Sequence, residues 1–111
     1  MVMTTYVFDL DGTLCSNSMG EYHLAQPFLE RINFVNQLFD EGHSIILHTA
    51  RGMGRSQNNV EEATKNWKDF TEKQISEWGL KYHQIHFGKP SGDIYIDDKA
   101  INERDFFKVN I

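Results

Sequence analysis

The fold of this chain depends on one stretch, Val7-Phe8-Asp9-Leu10-Asp11-Gly12-Thr13-Leu14, in which two carboxylates follow a short apolar run. Residues i and i+2 of a strand point to the same face, so Asp9 and Asp11 are expected to converge. Two anions at such short range repel each other unless a cation lies between them or one carries a proton. The stretch therefore predicts a divalent metal site or a nucleophile paired with an acid/base. The alternative is an ordinary turn, in which Asp and Gly are common.

Length and composition predict one globular domain, residues 1–111, with 40% hydrophobic and 13% aromatic residues. The net charge of −5 argues against a long polyanion such as nucleic acid as partner, whereas a small phosphorylated ligand in a local pocket is compatible with it. A single cysteine, Cys15, fits a reducing compartment. The first predicted strand begins within residues 1–5, and no apolar run has membrane-spanning length, so we expect a cytoplasmic protein without a signal peptide or a membrane partner.

Apolar runs alternate with helical periodicity along the chain. Strands are predicted at residues 4–8, 44–49, 84–87 and 94–96, the first of them buried on both faces, with a possible edge strand at 109–111. Helices are predicted from Pro27 to about Gly42, from 60 to 78 with Asn58 or Asn59 as N-cap, and at 100–107. Residues 12–26 are expected to form a loop or small hairpin that covers whatever Asp9 binds.

This alternation predicts an α/β fold, a three-layer Rossmann-like parallel sheet with helices on both faces. Right-handed crossovers place the carboxyl ends of all parallel strands at one edge, where open α/β sheets bind ligands. The polar residues that follow the predicted strands should therefore share one crevice; they are Asp9, Asp11, Thr49, Arg51, Lys89, Asp97 and Asp98.

These residue types suit Mg²⁺ and phosphate better than Ser or Cys nucleophile chemistry. Carboxylates are hard oxygen ligands for Mg²⁺, and Lys89 and the Thr49 hydroxyl can bind phosphoryl oxygens. A carboxylate can attack phosphorus to form an aspartyl-phosphate, while Asp11 protonates the leaving oxygen and later deprotonates water. Arg51 could make a bidentate contact with phosphate or sugar.

The motifs resemble those of the haloacid dehalogenase (HAD) superfamily. Asp9-Leu10-Asp11-Gly12-Thr13 resembles motif I, Thr49 motif II, Lys89 motif III, and Asp97-Asp98 the double-Asp form of motif IV, all in order. The resemblance implies that Asp9 is the nucleophile, that Asp11 is the acid/base, and that Thr49, Ala50, Arg51 and Lys89 hold the phosphoryl group or substrate. It also implies Mg²⁺ bound by Asp9, the Asp11 carbonyl and Asp98, with Asp97 acting through water.

Within the superfamily, Thr49-Ala50-Arg51-Gly52, Phe87-Gly88-Lys89-Pro90 and Ile94-Tyr95-Ile96-Asp97-Asp98-Lys99-Ala100 resemble small capless members associated with capsule or surface-polysaccharide synthesis. Lys89 lies only eight residues before Asp97, so the helix usual between motifs III and IV is expected to be missing or reduced to a turn. Gly92-Asp93 followed by Asp97 also fits another form of motif IV, which makes Asp93 a secondary candidate. Neither loop that could hold a cap domain is long enough. The pocket should be open to a large substrate or covered by another subunit of a homo-oligomer.

Other polar residues are expected to have mainly structural roles. His83 and His86 have the spacing of a ligand pair, but they flank a short strand with no nearby Cys or carboxylate, which favours packing or surface roles. His48 could line the pocket or pack beside its strand. Nothing near Cys15 predicts a catalytic thiol.

The sequence thus predicts a Mg²⁺-dependent phosphatase that hydrolyses a phosphomonoester, a sugar phosphate or related metabolite, through Asp9. One alternative is a phosphatase of nucleotides or nucleic-acid ends. An alternative of another class is a non-catalytic phosphate-binding domain.

Overall fold

The computed structural model describes residues 2–111 and confirms the predicted α/β fold with a Rossmann-like parallel sheet. The sheet has three strands in the order β1-β2-β3, namely Thr5–Phe8, Ser44–Thr49 and Gln84–Phe87. The helices are α1 (Leu29–Asp40), α2 (Val60–Glu77) and α3 (Glu103–Asn110), and a 3₁₀ turn spans Tyr22–Leu24.

The strand register brings the three carboxyl ends together, as the sequence predicted. Phe8 of β1 pairs with Leu47 of β2, and Thr49 at the end of β2 pairs with Phe87 at the end of β3. The residues that follow each strand therefore leave the sheet at one edge, which is where ligands bind in open parallel sheets.

The core lies on one face of the sheet. Phe8, Ile45 and Leu47 point to this face and pack in one cluster with apolar side chains of all three helices, which are Ile32, Val35 and Leu38 of α1, Ile75 of α2 and Phe107 of α3. The order β1-β2-β3 means that both crossovers step in the same direction. Because such crossovers are right-handed, α1 and α2 fall on the same face.

The second face departs from the predicted arrangement of helices on both sides. Val7, expected to be buried, has 61% of its surface exposed, and Ile46 and His48 on the same face are only partly buried. Among residues 2–111, the helices cover one face of this sheet and leave the other open.

Helix ends follow the predicted signals closely. The side chain of Asn59 accepts a hydrogen bond from Glu62 N at 3.0 Å and caps α2, which selects Asn59 over Asn58. Gly42 follows α1 with a φ of +97°, a left-handed conformation that glycine adopts at little cost. The first helix begins at Leu29, two residues later than predicted.

Two predicted strands do not form. Residues 94–96 lie in an exposed segment without helix or strand, and residues 109 and 110 complete α3 instead of forming an edge strand. A parallel crossover needs about a dozen residues or more. Only six residues separate Phe87 from Ile94, too few to return the chain to the other side of the sheet. We detect no helix among residues 2–111 that is long and apolar enough to cross a membrane.

Candidate active site at the carboxyl edge of the sheet

The turn after β1 is fixed by buried leucines and a glycine. Leu10 O accepts hydrogen bonds from Thr13 N at 3.1 Å and Leu14 N at 2.8 Å, and both leucine side chains are fully buried. Gly12 has a φ of +84°, which a residue with a Cβ adopts only with strain. The turn therefore anchors its apolar side chains in the core and presents Asp9 and Asp11 at the sheet edge.

Asp9 has one cationic and one hydroxyl partner. Lys89 Nζ, just after β3, lies 3.3 Å from Asp9 Oδ1, and Thr13 Oγ1 donates to Asp9 Oδ2 at 3.0 Å. Lys89 N donates to Thr49 O at 3.2 Å, which ties the turn after β3 to the end of β2. The structure thus brings Asp9 and Lys89 together, as predicted.

Asp11 is held by a bidentate guanidinium. Arg51 Nε donates to Asp11 Oδ2 at 2.9 Å, and Arg51 Nη2 donates to Asp11 Oδ1 at 3.0 Å. The Cys15 thiol also lies 3.4 Å from Asp11 Oδ1 in donating geometry. A planar guanidinium bonded through two parallel N–H groups fixes the orientation of the carboxylate as well as its charge.

Arg51 itself is buried, with 1% of its surface exposed. Its Nη1 donates to Gln74 Oε1 at 2.7 Å and to Thr71 Oγ1 at 3.2 Å, both on α2, and its guanidinium lies 4.8 Å from the centre of the Tyr22 ring. The guanidinium is thus enclosed by protein and does not open into the crevice. The predicted contact between Arg51 and substrate does not fit this geometry.

Sequence reasoning missed the residues that hold Arg51. Thr71 and Gln74 are three residues apart on α2, adjoining the buried Ile75. Polar side chains beside the buried position of a helix are a signal for a buried polar partner, because such groups must be hydrogen-bonded. The signal does not identify which cation they bind.

Thr49 is buried at the end of β2 and shapes the turn that follows it. Its Oγ1 accepts a hydrogen bond from Arg51 N at 3.1 Å. Because Thr49, like Arg51, has only 1% of its surface exposed, the contact between its hydroxyl and a phosphoryl group stays a prediction. Ala50 lies in the same turn and is partly buried.

The loop between β1 and α1 is tied to the opposite side of the site. Tyr22 Oη accepts from Gly52 N at 2.8 Å, and Gln74 Nε2 donates to Tyr22 O at 2.8 Å. The loop predicted to cover the site is thus joined to the turn after β2 and to α2.

His83 and His86 have packing and surface roles, whereas His48 lies near the site. His83 Nδ1 accepts from Ile45 N at 3.0 Å and its ring stacks on Phe39, while exposed His86 is hydrogen-bonded to Gln84, which confirms packing and surface roles for this pair. Burial is the main cause that lowers the pKa of His48, followed by the positive charge of Lys89. His48 lies on the open face of the sheet, because it alternates with core-facing Leu47 along β2, and the charges of Lys89 and Asp9 act on it.

Asp97 and Asp98 are exposed and make local contacts. Asp97 Oδ1 accepts from Lys99 N at 3.0 Å, and this bond is the main cause that lowers the pKa of Asp97. Asp93 is exposed as well. Across residues 2–111, no three His, Cys, Asp or Glu side chains come close enough to hold one metal ion. The four aspartates of the predicted Mg²⁺ set are thus not assembled in this single chain.

Comparison with solved structures shows a likeness over most of the chain. The chain resembles the crystal structure of an MCSG target from Vibrio cholerae with a TM-score of 0.84 and 28% sequence identity, over 94% of this chain and 87% of that one. No family model matches the chain. No curated protein matches it either.

Proposed function

We propose that this protein is a Mg²⁺-dependent phosphatase that hydrolyses a small phosphomonoester through an aspartyl-phosphate on Asp9. The observation that carries the proposal is the pairing of two carboxylates with two different cations at the carboxyl edge of a parallel sheet. Asp9 is partly open to solvent and faces Lys89, whereas Asp11 is oriented by buried Arg51. One carboxylate is thus accessible for attack, and the second is held in a fixed orientation beside it.

In the first step, an Asp9 oxygen attacks phosphorus and the bond between phosphorus and the ester oxygen breaks. Asp11 enters this step protonated, which is the state in which the second step leaves it; it gives that proton to the departing oxygen, and Asp9 carries the phosphoryl group. Lys89, 3.3 Å from Asp9, stabilises the negative charge that the phosphoryl oxygens gain. In the second step, Asp11 takes a proton from water, the water attacks the phosphorus, and orthophosphate leaves Asp9.

The hydrogen bonds that Asp11 accepts leave one of its lone pairs free for proton transfer. A carboxylate has about four lone-pair sites, and Arg51 and Cys15 together occupy three of them. The Asp11 side chain is 19% exposed, so its remaining site can face substrate or water. Arg51 therefore orients Asp11 without enclosing it.

The predicted oxygen donors fit Mg²⁺ by their chemistry: Asp9 and the Asp11 carbonyl lie at this edge, and Asp97 and Asp98 lie in the exposed segment that follows β3. Asp9, the Asp11 carbonyl and Asp98 would hold the ion, with Asp97 acting through water, and all of these are hard oxygen donors. Bound Mg²⁺ would neutralise charge on the phosphoryl oxygens.

For substrate we propose a sugar phosphate or related metabolite of surface-polysaccharide synthesis, and for compartment the cytoplasm. The net charge of −5 disfavours a nucleic-acid end, because an acidic surface repels a polyanion.

The test is hydrolysis of a panel of sugar phosphates, nucleotides, 3′-phosphorylated oligonucleotides and an aryl phosphate, with Mg²⁺ and with a chelator. We expect turnover that the chelator abolishes, highest on a sugar phosphate. Asp9→Asn should eliminate turnover and leave the circular dichroism spectrum unchanged. Asp40→Asn, at an exposed surface pair with Lys81, is the matched control and should keep wild-type turnover.

Wild-type protein that hydrolyses none of these esters would overturn the enzyme proposal. Phosphate binding without turnover would then favour the non-catalytic alternative. Highest turnover on nucleotides or oligonucleotides would replace the sugar-phosphate assignment.

A further inference from the structure

One edge of β1 has no strand beside it within residues 2–111. Ser44 N donates to Thr4 O at 3.0 Å, so Thr4, Tyr6 and Phe8 turn their backbone groups toward β2. The backbone groups of Thr5 and Val7 consequently face the free edge. Unpaired N–H and C=O groups along a strand edge are a template for pairing with another strand.

A segment of the same chain has the composition of a strand but is not paired. Ile94, Tyr95 and Ile96 are 80%, 52% and 95% exposed, although β-branched and aromatic residues favour strands. Val7, at the free edge, is also largely exposed. Adjacent exposed apolar side chains commonly mark an interaction surface.

The segment cannot pair in parallel with β1 of its own chain. The connection from Phe87 to Ile94 has six residues, whereas a parallel crossover needs about a dozen or more. In a second copy this restriction disappears, because no chain connection has to span the sheet. Each copy offers both a free β1 edge and an unpaired strand-like segment, so copies can exchange segments reciprocally.

We infer that residues 94–98 of one copy add as a parallel strand to the free edge of β1 in a second copy, and that the partner's Asp97 and Asp98 complete the site at Asp9. A parallel strand there would end beside the carboxyl end of β1, on the side where Asp9 leaves the sheet. This inference rests on the proposed function for the role of the two partner carboxylates.

Charge supports the same pairing. With both carboxylates ionised, Asp9, Asp11, Arg51 and Lys89 sum to zero formal charge within the single chain. The partner's Asp97 and the partner's Asp98 would add two negative charges, which one divalent cation neutralises. The single chain thus holds the phosphoryl-binding half of the site, and the second copy supplies the rest of the metal ligands.

Complementation between two inactive full-length variants tests the inference directly. Asp9→Asn removes the nucleophile, and the double variant Asp97→Asn/Asp98→Asn removes the exchanged carboxylates. Each alone should be inactive. An equal mixture, after subunit exchange, should recover about a quarter of wild-type turnover, because one site in four combines an intact Asp9 with an intact partner segment. No recovery from a mixture whose wild type is active would overturn the inference and leave the phosphatase proposal standing.

Sedimentation provides a readout that needs no activity. Wild type should be an oligomer, and Val7→Pro should shift it to the monomer, because proline removes an edge N–H without touching the β1–β2 hydrogen bonds. Ile96→Lys should do the same from the segment side. Val109→Lys, at an exposed position of α3, is the matched control and should stay oligomeric.

A monomeric wild type, or folded Val7→Pro and Ile96→Lys variants that remain oligomeric, would overturn the inference. If wild type sediments as expected but hydrolyses no phosphoester with Mg²⁺, the proposed function fails and the assembly stands.

Discussion

Two ion pairs form the carboxylate site, and they differ in burial. Arg51 and Asp11 are 0% and 19% exposed, whereas Lys89 and Asp9 are 22% and 31% exposed. The Arg51 guanidinium is also bonded to Thr71 and Gln74, and it lies against the Tyr22 ring. Lys89 Nζ has Asp9 on one side and the Tyr95 ring, 4.5 Å from its centre, on the other.

Because of this difference in burial, we expect the Arg51–Asp11 pair to contribute mainly to stability and the Lys89–Asp9 pair mainly to catalysis. A buried charge is tolerated only when its partners are complete, so removing either member of the Arg51–Asp11 pair should destabilise the fold. A pair near the surface contributes little to stability, because water competes for both ions. We therefore expect Arg51 to matter most for folding and Lys89 to matter most for turnover.

Substitution Arg51→Met should have the largest effect on stability. It leaves the Asp11 carboxylate without its guanidinium, and breaking a buried pair in this way typically costs about 3–5 kcal/mol. Urea unfolding followed by circular dichroism measures the change. Lys81→Met, which breaks the exposed pair with Asp40, is the control and should cost less than about 1 kcal/mol. Equal costs for the two variants would show that burial does not distinguish the pairs.

Substitution Lys89→Met should lower turnover strongly and change stability little, the reverse of what we expect for Arg51→Met. Turnover of the best substrate should fall about 100- to 1,000-fold, the range seen when one preorganised donor to a transition-state oxyanion is removed. The free energy of unfolding should change by less than about 1 kcal/mol. Rates with saturating Mg²⁺ and urea unfolding on the same preparation separate the two effects. If unfolding changes as much as in Arg51→Met, Lys89 is structural as well.

The open pair was predictable from sequence and the buried pair was not. Asp9 and Lys89 each follow an apolar run, and the rule that parallel strands end at one edge is enough to bring them together. Arg51 also follows a strand, but its bonds to residues 71 and 74 depend on how α2 packs. The polarity of Thr71 and Gln74 does not show how α2 is rotated about its axis, and therefore does not show that these side chains face Arg51.

The strand predicted at 94–96 failed for a related reason. Its side chains have the right composition, but composition does not test whether the chain can reach the sheet edge. The six residues after Phe87 decide that question, since a parallel crossover needs more. Asp97 and Asp98 follow this predicted strand, so their place beside Asp9 and Asp11 depends on its joining the sheet. The order of the motifs predicts the four aspartates as a set, but the strand does not form and the single chain does not bring them together.

Cys15 lies beside the buried Asp11–Arg51 pair, so the reactivity of its thiol measures how often this part of the site opens. The pKa of its thiol is raised to about 12, mainly by burial and next by the neighbouring Asp11 carboxylate. At about pH 8 the thiol should therefore be protonated and react far more slowly with a thiol reagent than it does after unfolding in urea. Asn17→Cys, exposed two residues later, is the control and should react at once in the folded protein. Rapid labelling of Cys15 in native wild type would mean that the Asp11–Arg51 side opens readily.

His48 lies on the open face of the sheet, and its substitution should change stability least. Burial and the nearby charge of Lys89 lower the pKa of His48 from 6.5, so the folded chain takes up this proton less readily than the unfolded chain. The sign follows from linkage: the contribution is complete above 6.5 and is lost as the pH falls through 6.5 toward the lowered pKa. Between about pH 7.5 and about pH 5.5, the urea midpoint of wild type should fall more than that of His48→Gln. Because His48 is only partly buried, the two proteins should differ slightly, and parallel pH profiles would mean that neither burial nor the charge of Lys89 lowers the pKa of His48 in the folded chain.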